Sequence, residues 1–249
     1  MIGRVAISTK DLVKRYGRVR ALDGFTLDVP AGAIFGLVGA NGAGKTTWMM
    51  SVAGYLQVES GSISLLGAGP FDAAVHAGRV AILPQDSELP LEMTPESLYV
   101  SFARLQGLDG AAARRAVAEM LAAVNLTAHA KKPVRALSHG MRKRAMAGQC
   151  FLGDPEVVLL DEPMNGLDPE EAERMRRLIL SRKDRRTTVV ASHDLLDLGR
   201  LCTHVAFVDA GRVTRFGTVA ELTADGRTLE ECYLEGRNRV RNKRPVPPS

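Results

Sequence analysis

Twelve residues, GLVGANGAGKTT at 36–47, carry the strongest structural signal in this chain. They contain Gly39-x-x-x-x-Gly44-Lys45-Thr46 between an apolar run that predicts a strand and a pattern that predicts a helix. Glycines at this spacing let backbone N–H groups surround a phosphate, while Lys45 reaches the terminal phosphates and Thr46 offers a hydroxyl to Mg²⁺. The alternative is a glycine-rich turn with a chance lysine, and chance places these four residues in about one chain in a hundred of this length. The strand–loop–helix context favours a nucleoside triphosphate site.

Strands and helices alternate on both sides of this loop. Apolar runs separated by glycine and proline predict strands at 5–8, 25–29, 33–38, 61–66 and 79–85. Near 86–150 the apolar spacing becomes helical, and Thr94-Pro95 is typical of a helix start. The alternation then returns, with strands at 157–160 and 187–192, helices at 169–183 and after 192, and a hairpin at 204–217. The pattern predicts an α/β fold with a mostly parallel sheet, interrupted by an all-helical insertion.

A second motif follows the helical region as VVLLDEP at residues 157–163. Four consecutive apolar residues predict a strand buried on both faces, and such a strand delivers Asp161 to the carboxyl edge of the sheet beside the glycine-rich loop. There Asp161 can hold Mg²⁺ through water, and Glu162 can act as general base or position a water for in-line attack. An acidic pair facing solvent is the alternative, which the glycine-rich loop makes less favoured.

The stretch LSHGMRKR at residues 137–144 begins as a turn and continues as a basic helix. Ser138 is a good N-cap, so a plain helix cap is one interpretation. A capped helix start also presents free N–H groups and the positive end of a dipole, which makes it an anion site. From these residues alone both interpretations stand.

The net charge of +5 is concentrated at one end of the chain. Residues 237–249 hold five basic residues and no acidic one, which leaves 28 basic and 28 acidic residues in 1–236. The neutral remainder gives no electrostatic reason to expect a nucleic-acid partner, and the tail is either solvated or attracted to an anionic membrane surface. The three cysteines form no C-x-x-C pair and are expected to be reduced structural thiols. No signal peptide and no membrane-spanning run is predicted.

Together and in this order, the motifs resemble the nucleotide-binding domain of ATP-binding cassette (ABC) transporters over roughly residues 5–225. The resemblance implies an α/β fold: a P-loop NTPase (RecA-like) core with an N-terminal antiparallel β-subdomain and an inserted α-helical subdomain. It implies one ATPase domain over 1–236, in which 1–85 and 153–236 form the core and 86–152 form the helical subdomain. The remaining basic, proline-containing tail at 237–249 is expected to be disordered.

The resemblance also implies ATP and Mg²⁺ as the bound species. Tyr16 in KRYG is similar to the aromatic residue that stacks on adenine. The residues implied to contact ATP in the glycine-rich loop are Gly39, Asn41, Gly42, Ala43, Gly44, Lys45, Thr46 and Thr47. The implied magnesium ligands are Thr46, Gln85 and Asp161, and the implied catalytic residues are Glu162, His193 and Gln85.

Each of these assignments has a simpler alternative. Tyr16 could be a surface aromatic between strands, and Gln85 in LPQD could be ordinary strand-end polarity. Asp168 closes a stretch similar to the family's D-loop (165–168) and is implied to contact bound ATP; it could instead cap the helix that begins at Pro169, or do both. His193 is one of five histidines, but it follows a predicted buried strand.

The family also gives a role to the helix start at Ser138. In ABC proteins the corresponding turn of a second subunit closes on the γ-phosphate, so Ser138 and the N–H of Gly140 are implied contacts to ATP held by another copy. The sequence departs from the family's commonest Leu-Ser-Gly-Gly-Gln at His139 and Met141. His139 is expected to point away from the phosphate, and would otherwise add a pH-dependent donor. Met141 cannot make the hydrogen bond to a ribose that glutamine could, yet a competent ATPase is predicted.

The resemblance implies a homodimer that closes around two ATP molecules and drives a separate polytopic transmembrane subunit. Its specific likeness is to ATPases of bacterial type-2 exporters, at the cytoplasmic face of the membrane. Two other possibilities stay open: an importer or lipid-trafficking ATPase, and a soluble ABC ATPase without a membrane partner.

Overall fold

A computed structural model describes residues 4–181 and 186–242 of the chain, with side chains up to residue 236. The central sheet consists of β3 (Ile34–Val38), β5 (Val80–Leu83), β6 (Val157–Asp161), β7 (Thr187–Ser192), β8 (His204–Asp209) and β9 (Arg212–Thr218). The strand order is β5-β6-β7-β3-β8-β9, and all neighbours are parallel except β8 and β9. The strands β3, β6 and β7 are buried along their whole length. The apolar sequences of β3 and β6 fit this, because both sheet faces carry a hydrophobic cluster.

The parallel arrangement brings four loops to one edge of this sheet. Strand β3 ends at Val38 before the glycine-rich loop, and β6 ends at Asp161. Strand β7 ends at Ser192, directly before His193, and β5 ends two residues before Gln85. Ligands of open α/β sheets bind at this carboxyl edge. The topology therefore gathers the sequence motifs at the edge where a ligand is expected.

A second, antiparallel sheet covers the other side of the glycine-rich loop. It has the order β2-β1-β4 and contains β1 (Val5–Tyr16), β2 (Val19–Pro30) and β4 (Ser60–Leu65). Trp48, on α1 (Lys45–Val52), stacks on Phe25 at 5.9 Å between ring centroids and donates its Nε1–H to Thr9 Oγ1 at 3.1 Å. The first two strands extend well beyond the predicted runs, because their distal halves expose polar side chains that carry no long apolar signal.

The predicted helical insertion contains α3 (Pro95–Leu105), α4 (Gly110–Ala123) and α5 (His139–Gln149). Thr94 caps α3 as predicted, in a capping box with Ser97. The hydroxyl of buried Tyr99 donates to Ala145 O at 2.9 Å, which joins α3 to α5. A Cβ on Gly148 would lie 2.3 Å from that hydroxyl, so the two helices touch where only glycine fits.

The other helices are α2 (Ala73–His76), α6 (Pro169–Leu180), α7 (Leu195–Leu201), α8 (Val219–Leu222) and α9 (Leu229–Asn242). Helix α6 ends before the predicted residue 183, and residues 182–185 lie outside the described part. The predicted disordered tail is wrong in its first residues, since 237–242 continue α9; residues 243–249 are not described. Throughout the described ranges, no helix is both long and apolar enough to span a membrane.

Candidate active site

The glycine-rich loop bends so tightly that two of its positions admit no side chain. Gly44, at the N-cap of α1, has φ 110°, and a Cβ there would lie 2.5 Å from Ala21 O. A Cβ on Gly39 would lie 2.4 Å from Val208 O. Among the described residues no side chain caps α1, and its first turn holds no acidic residue. The N–H groups at the start of α1 are therefore available to an anion.

Lys45 is 5 % exposed although it carries an ammonium group. Its Nζ donates to Gly39 O at 2.7 Å and lies 3.6 Å from Oε1 of Glu162. Loop carbonyls and an acidic side chain thus hold the charge inside the loop, where it can meet the terminal phosphates of a nucleotide.

Asp161 and Thr46 meet although 115 residues separate them in the sequence. Thr46 Oγ1 donates to Asp161 Oδ2 at 2.6 Å, while the buried Oδ1 has no hydrogen-bond partner among the described residues. Burial raises the pKa of Asp161, and the hydrogen bond from Thr46 opposes that rise. An unsatisfied carboxylate oxygen beside a hydroxyl is a hard oxygen donor set, so these residues fit a magnesium ion.

Glu162 is buried directly after Asp161, and its backbone has φ 48°, which non-glycine residues seldom adopt. His193 Nδ1 donates to the Glu162 carboxylate, 3.1 Å from each oxygen, and Ser192 Oγ donates to Oε2 at 3.3 Å. The imidazole of His193 remains 52 % exposed. The carboxylate therefore has a fixed orientation, and the histidine ring joins it to the open side of the site.

A cavity of about 460 Å³ opens over these groups. Every residue predicted to contact ATP in the glycine-rich loop lines it except Gly39: Asn41, Gly42, Ala43, Gly44, Lys45, Thr46 and Thr47. The structure also brings Tyr16, Gln85, Asp161 and Glu162 to its wall. Tyr16 is 50 % exposed at the rim, and His193 reaches the site through Glu162 rather than as part of the wall.

Besides Gly39 and His193, three further predicted residues do not line this cavity: Ser138, Gly140 and Asp168. Ser138 is exposed and caps α5, because its Oγ accepts the N–H of Met141 at 3.2 Å. Gly140 is buried against Glu171, where a Cβ would lie 2.7 Å from Glu171 Cγ. Asp168 caps α6 by accepting the N–H of Glu171 at 2.9 Å. The helix-cap interpretations of Ser138 and Asp168 are thus confirmed, and neither residue reaches the cavity of its own chain.

Lys143 is a residue that the sequence interpretation missed. Its Nζ donates to Asn165 O, and it shares a narrow gap of about 10 Å³ with Gln85, Asp161 and Glu162. One turn earlier on α5, exposed His139 lies beside Gly166, with Nε2 3.7 Å from an ideal Cβ there. The i,i+4 spacing of His139 and Lys143 indicates a shared helix face, but no local signal identifies the turn that this face contacts.

Comparison with known proteins places these observations in a family. The model of the ABC transporter family matches residues 22–165. The Nod factor export ATP-binding protein I of Ralstonia nicotianae is 36 % identical over 221 residues, covering 87 % of this chain and 68 % of that protein. The daunorubicin/doxorubicin resistance ATP-binding protein DrrA of Streptomyces peucetius is 33 % identical over 219 residues, covering 87 % of this chain and 66 % of that protein.

Solved structures agree. The ATP-binding subunit of an ABC transporter superposes with a TM-score of 0.83 at 26 % identity, covering 93 % of this chain and 99 % of that one. The predicted fold class is confirmed by this likeness. The chain belongs to the ABC transporter family, as a nucleotide-binding subunit of the type-2 kind that binds and hydrolyses ATP.

Proposed function

We propose that this chain powers export through a separate polytopic transmembrane subunit, and that two copies close head to tail around two ATP molecules. The names of two relatives, a Nod factor export protein and a drug resistance protein, support the direction of transport. One observation supports the proposal of a head-to-tail dimer. The cavity is lined by the ammonium-bearing Lys45 and by both acidic residues, Asp161 and Glu162. Ser138 is exposed and lies outside this cavity. The side chain of Ser138 is therefore available to a nucleotide bound by another copy, and Gly140 follows it in the first turn of α5.

In the proposed complex the β- and γ-phosphates of ATP lie against the N–H groups at the start of α1 and against Lys45. The residues from Asn41 to Thr47 form the cradle, and Gly39 allows the tight approach of the loop to Val208. The half-exposed ring of Tyr16 stacks on adenine at the cavity rim.

Hydrolysis needs a water held in line with the leaving group and a group that accepts its proton. Glu162 is proposed for this role, because hydrogen bonds from His193 and Ser192 fix its carboxylate. The exposed side of His193 reaches the γ-phosphate, and Gln85 contacts the attacking water. Thr46, Asp161 and Gln85 would hold Mg²⁺, which supplies positive charge against the phosphate oxygens.

The second copy completes the site with the start of α5. Ser138 uses an Oγ lone pair for its own helix, so its hydroxyl hydrogen is free to donate to the γ-phosphate. The N–H of Gly140 and the dipole of α5 add positive potential there. Gly166, two residues before Asp168, lies beside His139 at this helix start, so this turn and Asp168 would meet the partner's nucleotide.

A groove beside the helical insertion supports the proposal that a transmembrane subunit binds this chain. It encloses about 200 Å³ between the core and the insertion, and its apolar wall includes Tyr55, Phe71, Ile82 and Phe102. Tyr55 is 66 % exposed at the edge of this groove. We propose that a short helix of the transmembrane subunit binds here, which would hold the chain at the cytoplasmic face of the membrane.

We also propose the domain division of the family for this chain. The ATPase domain spans 1–236, with 86–152 as the helical subdomain that carries Ser138. The hydrogen bond from Tyr99 on α3 to Ala145 on α5 supports this division, and the apolar residues of the insertion join the hydrophobic cluster on one face of the central sheet.

Glu162→Gln tests the hydrolytic site and the dimer together. The variant keeps the size of the side chain but cannot take a proton, so hydrolysis should fall by about a hundredfold or more. With ATP the variant should sediment as a dimer, whereas with ADP it should stay a monomer. Hydrolysis at the wild-type rate would refute Glu162 as the base, and a monomer at saturating ATP would refute dimerisation of the isolated subunit.

Purification of the native complex in detergent tests the membrane partner. We expect a polytopic membrane protein to co-purify, and its loss when Tyr55 is changed to Asp. Recovery of this chain without any membrane protein would favour a soluble ATPase. A co-purifying periplasmic binding protein would indicate import.

A further inference from the structure

The turn at residues 162–165 is under backbone strain at its first residue. Glu162 has φ 48°, and such a conformation persists in an L-residue only where surrounding contacts hold it. Two backbone hydrogen bonds do so: Glu162 N–H donates to Ala191 O at 2.9 Å, and Asn165 N–H donates to Glu162 O at 3.2 Å. The orientation of Glu162 therefore depends on the position of Asn165.

Lys143 holds Asn165 from a different part of the fold. Its Nζ donates to the carbonyl oxygen of Asn165, so the peptide groups of 165 are bound on both sides. The side chain of Lys143 is half-buried and lines the narrow gap that Gln85, Asp161 and Glu162 also line. Burial lowers the pKa of Lys143, and the Glu162 carboxylate counteracts this, which places the ammonium within the field of that carboxylate.

The helix that carries Lys143 begins with the turn of Ser138 and Gly140. That end of α5 is fixed to α6, because Gly140 packs on Glu171 and buried Arg144 donates to Glu171 Oε2 at 2.6 Å. Because α5 is one continuous helix, a shift of its start would move Lys143 with it. In the proposed dimer the start of α5 would face a nucleotide held by another copy, whereas Lys143 contacts the 162–165 turn of its own chain.

We propose that Lys143 is a positioning residue that couples the two ATP sites of the dimer. It holds the 162–165 turn from α5, so Glu162 is aligned when Ser138 and Gly140 of the same chain engage the second ATP. This inference rests on the proposed ATP dimer and on Glu162 as the base. Beyond that function, the inference identifies the contact of Lys143 with Asn165 as the link through which ATP binding at one site would affect hydrolysis at the other.

Lys143→Met tests the contact, because methionine keeps the apolar stem and removes the donor and the charge. The turnover number should fall about tenfold to a hundredfold, as for other small misplacements of a reacting group. The Kd for ATP, measured by titration with a fluorescent analogue, should stay within about twofold, since Lys143 does not contact the phosphate cradle. Lys143→Arg keeps a cation with N–H donors and should recover most of the turnover.

Lys132→Met is the matched control, since Lys132 is an exposed lysine of the same insertion. It should keep the wild-type turnover and melting temperature. Equal turnover in K143M and K132M would overturn the proposal, as would a rise in the ATP Kd as large as the fall in turnover. If K143M melts early, Lys143→Gln tests the same loss with a polar side chain.

A double-mutant cycle separates this inference from the proposed function. Because Lys143 acts through Glu162, K143M should cause no further loss of single-turnover hydrolysis in an E162Q background. Additive losses would overturn a role through Glu162. Wild-type hydrolysis by E162Q alone would refute the assigned base instead, whereas an inactive E162Q beside a fully active K143M would refute only the role of Lys143.

Discussion

The cavity over the glycine-rich loop and the start of α5 differ in burial and in how firmly their side chains are held. Lys45, Asp161 and Glu162 are buried and held by hydrogen bonds or ion pairs from distant segments. Ser138 and His139 are exposed, and within the described ranges the Ser138 hydroxyl bonds only to the N–H of Met141 in its own helix turn. Groups that stabilise developing charge act best when they are fixed in advance, whereas a nucleotide needs an open side to enter. The difference teaches that one chain carries a preorganised half-site and leaves the other half for a partner.

Removal of the buried cation should have the largest effect. Lys45→Ala takes the ammonium out of the loop, so phosphate release should fall to background and ATP binding should weaken strongly. Lys131→Ala, at an exposed lysine of the helical insertion, serves as the control. Retained turnover in K45A would contradict the assignment of the buried half to phosphate binding.

Loss of the exposed hydroxyl should lower turnover but spare binding by a single copy. Ser138→Ala removes a donor proposed to face the partner's γ-phosphate, which should cost about a hundredfold in turnover. The Kd for ATP of the isolated monomer should not change, because Ser138 does not line its own cavity. Ser138→Thr keeps the hydroxyl and the helix cap and is the matched control. Weaker binding of ATP by monomeric S138A would contradict the assignment of Ser138 to the ATP site of the partner copy.

A smaller effect is expected at Tyr16, on the rim of the cavity. Tyr16→Ala should raise the ATP Kd about tenfold, as expected for loss of one aromatic stack on a base. Tyr16→Phe should bind ATP like the wild type, because stacking uses the ring and not the hydroxyl. If calorimetry gave Y16A the same affinity for ATP as the wild type, Tyr16 would be an ordinary surface aromatic without a role in ATP binding.

The smallest effect is expected at His139. Its ring lies beside Gly166 of its own chain, so His139→Ala should change turnover by less than about twofold, as for other surface substitutions. The pH profile of turnover should be the same in both proteins, because the ring is not proposed to contact phosphate. A loss of pH dependence in H139A would instead make His139 a donor to the partner's phosphate.

The buried half of the site is largely predictable from the sequence. The glycine spacing of 36–47 and the apolar run that ends at Asp161 both report local requirements, since tight backbone approach demands glycine and a strand buried on both faces demands apolar residues. The long β1–β2 ribbon was less predictable, because its exposed half is polar. The start of the predicted tail at 237 fails for a similar reason, because the sequence RNRVRN at 237–242 has a single apolar residue and gives no helical period.

Lys143 shows where such prediction ends. Its place in a basic run on α5 is plain in the sequence, yet its contact with Asn165 joins segments 22 residues apart, and its neighbours include residues from two other strand ends. Side-chain contacts of this kind depend on how α5 and α6 pack, which no local pattern specifies.

The amino-acid sequence alone is enough to identify a phosphate-binding loop, a strand-end carboxylate pair and an α/β fold, because each follows from spacing within a few residues. The folded chain is needed to show that Asp161 meets Thr46, that Glu162 is strained and held by His193, and that Ser138 lies outside the cavity of its own chain. These facts depend on the order of strands in the sheet and on helix packing, which bring together residues far apart in the chain.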